Sequence, residues 1–166
     1  MKPKTARAAA VLCVATALML QGCPSAYQHA YEEETQRLET RQRISQEQEA
    51  AAHAEAQKYA AVIYFAVGSA TVDADGQREL TWFVKQMQPY PQAMIQVQGF
   101  ADSTGQEAKN EGLSAQRATN VASFLSSQGI DAARIAIQGF GEQYPAASNE
   151  SAKGRRNNRR VEVTVR

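Results

Sequence analysis

The sequence contains very few of the side chains on which most enzymes and metal sites depend. Its 166 residues include only two cysteines and two histidines. His29 and His53 both lie in a polar segment, so we predict that they are solvated. Because Cys13 and Cys23 precede that segment, the rest of the chain offers no thiol. This excludes thiol catalysis and the common zinc sites there, and an enzyme would have to rely on carboxylates.

A long hydrophobic run is also missing. The uncharged stretch of residues 8–21 is shorter than the about 20 apolar residues that a membrane span needs, and it follows Lys2, Lys4 and Arg7. This layout is typical of a secretory signal peptide, so we expect residues 1–22 to be removed and the mature chain to be exported. Removal would change the formal net charge from +1 to −2, which leaves no basic bias to indicate nucleic acid.

The end of this stretch resembles a lipobox. The tetrapeptide Leu20-Gln21-Gly22-Cys23 is similar to the site at which a signal peptidase cuts before a cysteine that carries a diacylglyceryl group. We therefore expect Cys23 to be lipidated and to hold the mature chain to a membrane through two acyl chains. An ordinary signal peptide with a chance cysteine is the alternative, since Gln21 stands where a small residue is more usual.

The next segment, residues 23–60, is expected to be a lipidated N-terminus followed by a polar helical tether. Residues 27–58 contain no glycine or proline, few large apolar side chains and many glutamates, glutamines, alanines and arginines. Glu33 and Arg37, and Glu39 and Arg43, stand four positions apart in the order that favours a helix. The segment would reach about 50 Å as a helix or about 30 Å as a flexible chain, which suits a spacer that could also contact envelope proteins.

From residue 61 to residue 166 the pattern alternates between strands and helices, which predicts one α/β domain with a mixed sheet of about four strands packed against helices. One helix carries apolar residues at helical spacing from Leu80 to Met87. Ser114 is predicted to cap a second helix, which has an apolar stripe from Ala118 to Leu125 and ends before Gly129. Strands are predicted at residues 62–65, 95–98, 135–140 and 161–166. The tripeptide Gln-Gly-Phe occurs at both 98–100 and 138–140, a faint indication that two strand units share a geometry.

The stretch from Gly99 to Gly105 carries the clearest motif. It reads Gly-Phe-Ala-Asp-Ser-Thr-Gly and is followed by Asn110, Leu113-Ser114 and Arg117-Ala118. This pattern resembles the OmpA-like domain, and further matches run from Tyr64 to Glu162. The resemblance implies that the domain binds meso-diaminopimelate of the peptidoglycan stem peptide through Asp102 and Arg117, with Asn110 and Leu113 also in the site.

The residue types fit such a ligand. Diaminopimelate ends in an ammonium beside a carboxylate, so Asp102 can accept from the first while Arg117 grips the second through two parallel hydrogen bonds. We expect Arg117 to lie in the first turn of its helix and the loop from Asp102 to Leu113, braced by Asn110, to fold over the ligand. The alternative is that Asp102 and Arg117 merely pair with each other.

Some residues of this region depart from the family pattern, and others are assigned a structural role. Ala101 departs from the family pattern, as do Ala66 and Gly68, and these changes put affinity in doubt. The arginine pairs 155–156 and 159–160 are interpreted chiefly as structural.

These features together predict an outer-membrane lipoprotein that binds peptidoglycan without being an enzyme. No cofactor and no metal are expected. One alternative is a wall-anchoring component of an envelope machine, such as a motor or secretion apparatus, with residues 27–58 contacting its partners. Another alternative is an envelope hydrolase that uses carboxylates such as Asp102.

Overall fold

The computed structural model describes residues 24–166, and Cys23 with the expected signal peptide lies outside them. The described part separates into two compact units, one up to Ala51 and one from Ala52 onward. The first unit consists of most of helix α1, which spans Pro24–Ala56. No helix within the described range is both long enough and apolar enough to cross a membrane.

Helix α1 has the polar character that its sequence predicts. Glu33 and Arg37 form the expected ion pair at 3.0 Å, whereas Arg43 pairs with Glu47 at 3.9 Å instead of with Glu39. All four of these paired side chains are more than 60% exposed, so each pair contributes only a few tenths of a kcal/mol. These two ion pairs therefore add little to the stability of the helix.

The second unit has the mixed α/β architecture that the alternating pattern predicts. After α1 come four strands, three helices and one turn of 3₁₀ helix. Their bounds are β1 Ala60–Tyr64, α2 Ala74–Met87, β2 Ile95–Gly99, α3 Glu107–Ser127, the 3₁₀ turn Ala132–Arg134, β3 Ile135–Gly139, α4 Ala152–Asn158 and β4 Arg160–Val165.

The four strands form one sheet in the order β1-β4-β2-β3. Strand β4 runs antiparallel to both β1 and β2, whereas β2 and β3 are parallel. This topology places the C-terminal strand in the interior of the sheet, where its valines are covered. Val161 and Val163 are fully buried, as are Ile95 and Val97 on β2.

The core lies between this face of the sheet and helices α2 and α3. The predicted apolar stripes are buried as expected, with Leu80, Phe83, Val84 and Met87 on α2 and Ala118, Val121, Ala122 and Leu125 on α3. Ala56, in the last turn of α1, belongs to the same core and is fully buried. Burying a side chain of leucine or valine size contributes about 1.5–3 kcal/mol, so these stripes hold the helices on the sheet.

The repeated Gln-Gly-Phe tripeptide marks two neighbouring strands that share a geometry, as the sequence indicated. Gly99 and Gly139 are in register at the ends of β2 and β3, and both meet the same turn of α3. A Cβ atom on Gly99 would lie 2.0 Å from the carbonyl oxygen of Ser114, and one on Gly139 would lie 2.6 Å from the amide nitrogen of Ala115. Glycine at these two positions lets the helix approach the strand ends closely.

The predicted start of α3 is wrong. The helix begins at Glu107, so Ser114 is buried near its middle instead of capping its first turn. The Ser114 hydroxyl donates to the carbonyl of Glu111 and accepts from the amide of Gly141, which satisfies a polar group that would otherwise be unpaired in the core. The loop before the helix is correspondingly shorter than expected, and it ends at Gln106.

Candidate functional site

A cavity of about 210 Å³ lies at the C-terminal end of β2. The loop after β1, the loop after β2, helix α3 and the residue before β4 all contribute to its lining. The four predicted ligand-binding residues, Asp102, Asn110, Leu113 and Arg117, all lie in this lining. The fold thus brings together side chains that are up to 15 positions apart in the sequence.

Asp102 sits at the start of the loop after β2 and is buried, with 6% of its surface exposed. Its Oδ1 accepts from the backbone N–H of Thr104 at 3.1 Å, and its Oδ2 accepts from Nη1 of Arg159 at 2.8 Å. Burial alone would raise the pKa of the Asp102 carboxyl, but these two hydrogen bonds outweigh it and hold the pKa below its ordinary value. Asp102 is therefore a carboxylate at neutral pH.

Arg117 is completely buried on α3 and is held by three backbone carbonyls. Nε donates to Ser69 at 2.8 Å, Nη1 to Phe100 at 3.1 Å and Nη2 to Ala66 at 3.2 Å. Burial and, to a smaller extent, the neighbouring charge of Arg159 together lower the pKa of Arg117 to about 10, against the opposing effect of Asp102. The guanidinium remains protonated at neutral pH. Since it carries five N–H donors, Nη1 and Nη2 each keep one that these carbonyls do not use.

Asn110 braces the loop after β2, as the sequence analysis expected. Its Nδ2 donates to the carbonyl oxygen of Asp102 at 3.1 Å and to the carboxylate of Glu142 at 2.8 Å. Asn149 holds the same loop by accepting from the N–H of Ser103. These contacts fix the carbonyl and the N–H of the peptide group that joins Asp102 to Ser103. Leu113, half-buried one turn further along α3, gives the cavity an apolar wall.

Arg159 lines the cavity although its sequence context did not indicate that it belongs to the site. We interpreted the arginine pair 159–160 as structural, and Arg160 does stack on Phe100 and pair with Glu162. Arg159 also lines the cavity and forms the buried ion pair with Asp102. Because Asp102 pairs with Arg159, the alternative in which it simply pairs with Arg117 is wrong. The sequence offered one indication of this role, which is the positive charge of Arg159 close to the start of the last predicted strand.

A further expectation about this site needs correction. Arg117 does not lie in the first turn of its helix, since three turns of α3 precede it, so free backbone amides do not accompany its side chain. The residues that depart from the family pattern contribute through their backbone. Ala66 provides a carbonyl to Arg117, and the N–H of Ala101 donates to Gly141 at 2.7 Å. Gly68 lines the cavity with a positive φ of 66°, a conformation that glycine adopts readily.

The chemistry that these groups offer is ionic recognition. Within residues 24–166, no cluster of three or more histidine, cysteine, aspartate or glutamate side chains could hold a metal ion. The cavity lining instead presents one carboxylate, two guanidinium groups, the ammonium of Lys109 and an apolar wall. Such a set of groups can bind a small charged ligand through hydrogen bonds to the ligand's ionised groups.

Comparisons with known proteins agree with this architecture. The chain is 45% identical over 103 residues to the probable lipoprotein YiaD of Escherichia coli, a match that spans 62% of this chain and 47% of that protein. The chain therefore spans about half the length of this relative. The crystal structure of the peptidoglycan-associated lipoprotein from Burkholderia pseudomallei superposes with a TM-score of 0.61 at 26% identity, covering 64% of this chain and 90% of that one.

A second solved structure is similar to the same part of the chain. The cell wall anchor of the T6SS from Pseudomonas aeruginosa superposes with a TM-score of 0.56 at 32% identity, covering 64% of this chain and 79% of that one. Residues 64–159, which include every described residue of the candidate site, match the OmpA family. The chain belongs to the OmpA family.

Proposed function

We propose that this protein is an outer-membrane lipoprotein that binds peptidoglycan through the diaminopimelate of the stem peptide, and that it links the membrane to the cell wall without catalysing a reaction. The observation that carries the proposal is the cavity in which a buried carboxylate and a buried guanidinium both keep unused hydrogen-bonding capacity. The names of the similar proteins, a lipoprotein, a peptidoglycan-associated lipoprotein and a cell wall anchor, support the same function.

In the proposed mode Arg117 binds the carboxylate at the free end of diaminopimelate. Its Nη1 and Nη2 each have one N–H that no backbone carbonyl takes, and a carboxylate can accept from both at once. The three carbonyl contacts fix the guanidinium, so little side-chain entropy is lost on binding. Asp102 accepts from the adjacent ammonium with the lone pairs that Thr104 and Arg159 leave free.

Sedimentation with purified cell walls tests this mode. Lysine-type walls offer the stem-peptide ammonium without the carboxylate, so binding should be weaker than to diaminopimelate walls by about ten- to hundredfold. Asp102→Asn should weaken binding to both wall types. Arg117→Lys keeps a positive charge but loses the paired donors, so it should weaken binding to diaminopimelate walls much more than to lysine-type walls.

Thermal unfolding of each variant controls for folding, which matters because Arg117 is part of the core. Equal wild-type affinity for the two wall types would contradict the role of Arg117, and full binding by Asp102→Asn would contradict the role of Asp102. The same incubation separates a binder from a hydrolase that uses carboxylates. A binder leaves the walls intact, whereas released muropeptides would show that the protein is an enzyme.

A second candidate function is wall anchoring within an envelope machine, and it is favoured by the similarity to the T6SS cell wall anchor. In this case the exposed polar surface of α1 would contact partner proteins. Photocrosslinkers placed at exposed positions such as Gln36 and Thr40 should then capture a defined protein in cells. A simple membrane-to-wall link predicts no such product, while both candidates predict the same cavity chemistry.

A further inference from the structure

Asn158 is a fully buried polar side chain that the proposed binding mode does not use. It is the last residue of the short helix α4. Its Oδ1 accepts from the N–H of Ala147 at 2.9 Å, and its Nδ2 donates to the carbonyl of Ala147 and to Oδ1 of Asn149, both at 2.8 Å. The side-chain amide thereby uses both of its donors and its acceptor, as a buried polar group must. It fixes Ala147 and Asn149, in the loop before α4, against the end of this helix.

Two further contacts hold the same loop on α4. Nη1 of Arg155 donates to the carbonyl of Asn149 at 2.7 Å and to that of Glu150 at 3.0 Å. Gly154 lets the helix approach the loop closely, because a Cβ atom there would lie 1.8 Å from the carbonyl oxygen of Ser148. The backbone of Asn149 is therefore fixed by Arg155 while its side chain is fixed by the end of the helix.

Asn149 connects this arrangement to the loop that carries Asp102. The Oδ1 atom that accepts from Asn158 also accepts from the N–H of Ser103 at 3.3 Å, and Arg159 pairs with the Asp102 carboxylate at 2.8 Å. Asn158 and Arg159 thus hold two successive residues of the loop after β2, the first through Asn149 and the second directly. Both asparagines lie outside the cavity lining, so any effect that they have on a ligand must pass through this loop.

We infer that Asn149 and Asn158 are positioning residues for wall binding, which act through Asp102 by holding the peptide group that joins it to Ser103. This inference rests on the proposed function, because Asp102 is the ligand group whose place they set. A carboxylate that is already in place loses less entropy when it binds. Losing the hydrogen bond to Ser103 should therefore weaken wall binding by about two- to tenfold, the equivalent of one ordinary hydrogen bond.

Amide hydrogen exchange of the full mature chain tests the contact without any ligand. Asn149→Ala should speed exchange of the Ser103 N–H by about two- to tenfold and leave β2 and β4 unchanged. Asn149→Asp keeps an acceptor oxygen and should keep the wild-type rate. Asn157→Ala is the matched control, since Asn157 is the neighbouring asparagine on α4 and takes no part in these hydrogen bonds. Unchanged exchange at Ser103 in Asn149→Ala would overturn the inference.

Sedimentation with diaminopimelate walls, in the wild-type and Asp102→Asn backgrounds, tests whether Asn149 acts through Asp102. Asn149→Ala should weaken binding by about two- to tenfold in the wild type but by less than about twofold beside Asp102→Asn, because the carboxylate that it positions is then absent. Asn149→Asp should bind as the wild type does, and thermal unfolding shows that each variant is folded. Equal losses in the two backgrounds would indicate a structural role independent of Asp102 and overturn the inference. Full binding by Asp102→Asn alone would instead contradict the proposed function.

Discussion

At the scale of single residues, two glycines have opposite effects on stability. Gly139 packs against α3 from the end of β3, and Gly112 lies within α3. Gly139 lies against the backbone of Ala115, and a Cβ there would be 2.6 Å from its amide nitrogen. Gly112 is inside the same helix, and a Cβ at this position would meet no atom within 4 Å. The first glycine is required by packing, whereas the second only lowers the helix propensity of its segment.

Substituting alanine at each position tests this difference. Gly139→Ala should force the strand end away from the helix and lower the free energy of unfolding by about 1–3 kcal/mol. Gly112→Ala should raise it by up to about 1 kcal/mol, since alanine is the better helix former and meets open space. Urea unfolding of both variants against the wild type gives the two values. Equal effects of the two substitutions would mean that the close approach of α3 to β3 does not matter for stability.

Asp102 should make the folded protein less stable as the pH becomes acidic. Because its pKa in the folded protein lies below the ordinary 3.8, the unfolded chain takes up this proton first as the pH falls. The stabilisation from the Arg159 pair is therefore complete at neutral pH and is lost as the pH falls through the lowered pKa.

The stability of Asp102→Asn across pH measures that contribution. The variant should be less stable than the wild type at pH 7, and the difference should shrink progressively below about pH 4. Urea unfolding at a series of pH values is the measurement. A difference that stays constant down to about pH 2 would show that the Asp102 charge does not contribute, because the substitution would then act only through packing.

The sequence indicated that one partner of the ion pair, Asp102, belongs to the candidate site, but it did not indicate the other, Arg159. Asp102, Asn110, Leu113 and Arg117 fall within a motif of 16 positions, and all four line the cavity. Arg159 reaches Asp102 across 57 positions. No local periodicity reports a contact of that separation, because it depends on β4 lying beside β2 in the sheet.

At the scale of elements, the strands and the buried helical stripes could be predicted because they follow from apolar periodicity. The start of α3 could not. Residues 107–113 include Asn110 and Gly112, which are poor helix formers, and the pattern there indicated a loop. Tertiary contacts decide the outcome, since the Asn110 side chain is held by Asp102 and Glu142. The short helix α4 escaped prediction because it carries no apolar stripe.

The sequence assigned the last turn of α1 to the tether, whereas in the structure this turn belongs to the core of the second unit. Ala56 is fully buried in the core, and the ring of Tyr59 contacts those of Trp82 and Tyr90, each at 6.2 Å between centroids. The compact unit accordingly begins at Ala52. The boundary expected at residue 61 would remove both of these side chains from the fold.

Two truncated proteins test where the folded unit begins. A protein starting at Ala52 should match the full mature chain in both unfolding temperature and wall affinity. One starting at Ala61 should be less stable by about 1–3 kcal/mol, because it leaves the sites of Ala56 and Tyr59 uncovered. Tyr59→Ala in the longer protein is the control for the aromatic contribution. Equal stability of the two truncated proteins would place the boundary at residue 61 after all.

At the scale of the whole molecule, the proposed function needs two attachments and a spacer between them. The OmpA-like unit is proposed to supply the wall attachment, and Cys23 is proposed to supply the membrane attachment. Residues 24–51 are mostly exposed where their side chains are described, and they add no residue to the cavity. The two attachments should therefore fail independently when each is changed alone.

Envelope fractionation of variants at each end tests this independence. Cys23→Ala should lose palmitate label and leave the membrane fraction, because a chain without its acyl groups has no comparable hydrophobic anchor. It should still sediment with diaminopimelate walls, since the cavity is unchanged. Asp102→Asn should behave in the opposite way, remaining labelled and membrane-bound while losing the wall. Cys13→Ala is the matched cysteine control and should retain both label and wall binding. Palmitate labelling that persists in Cys23→Ala, or wall binding that disappears with it, would contradict the division of the molecule into two independent attachments.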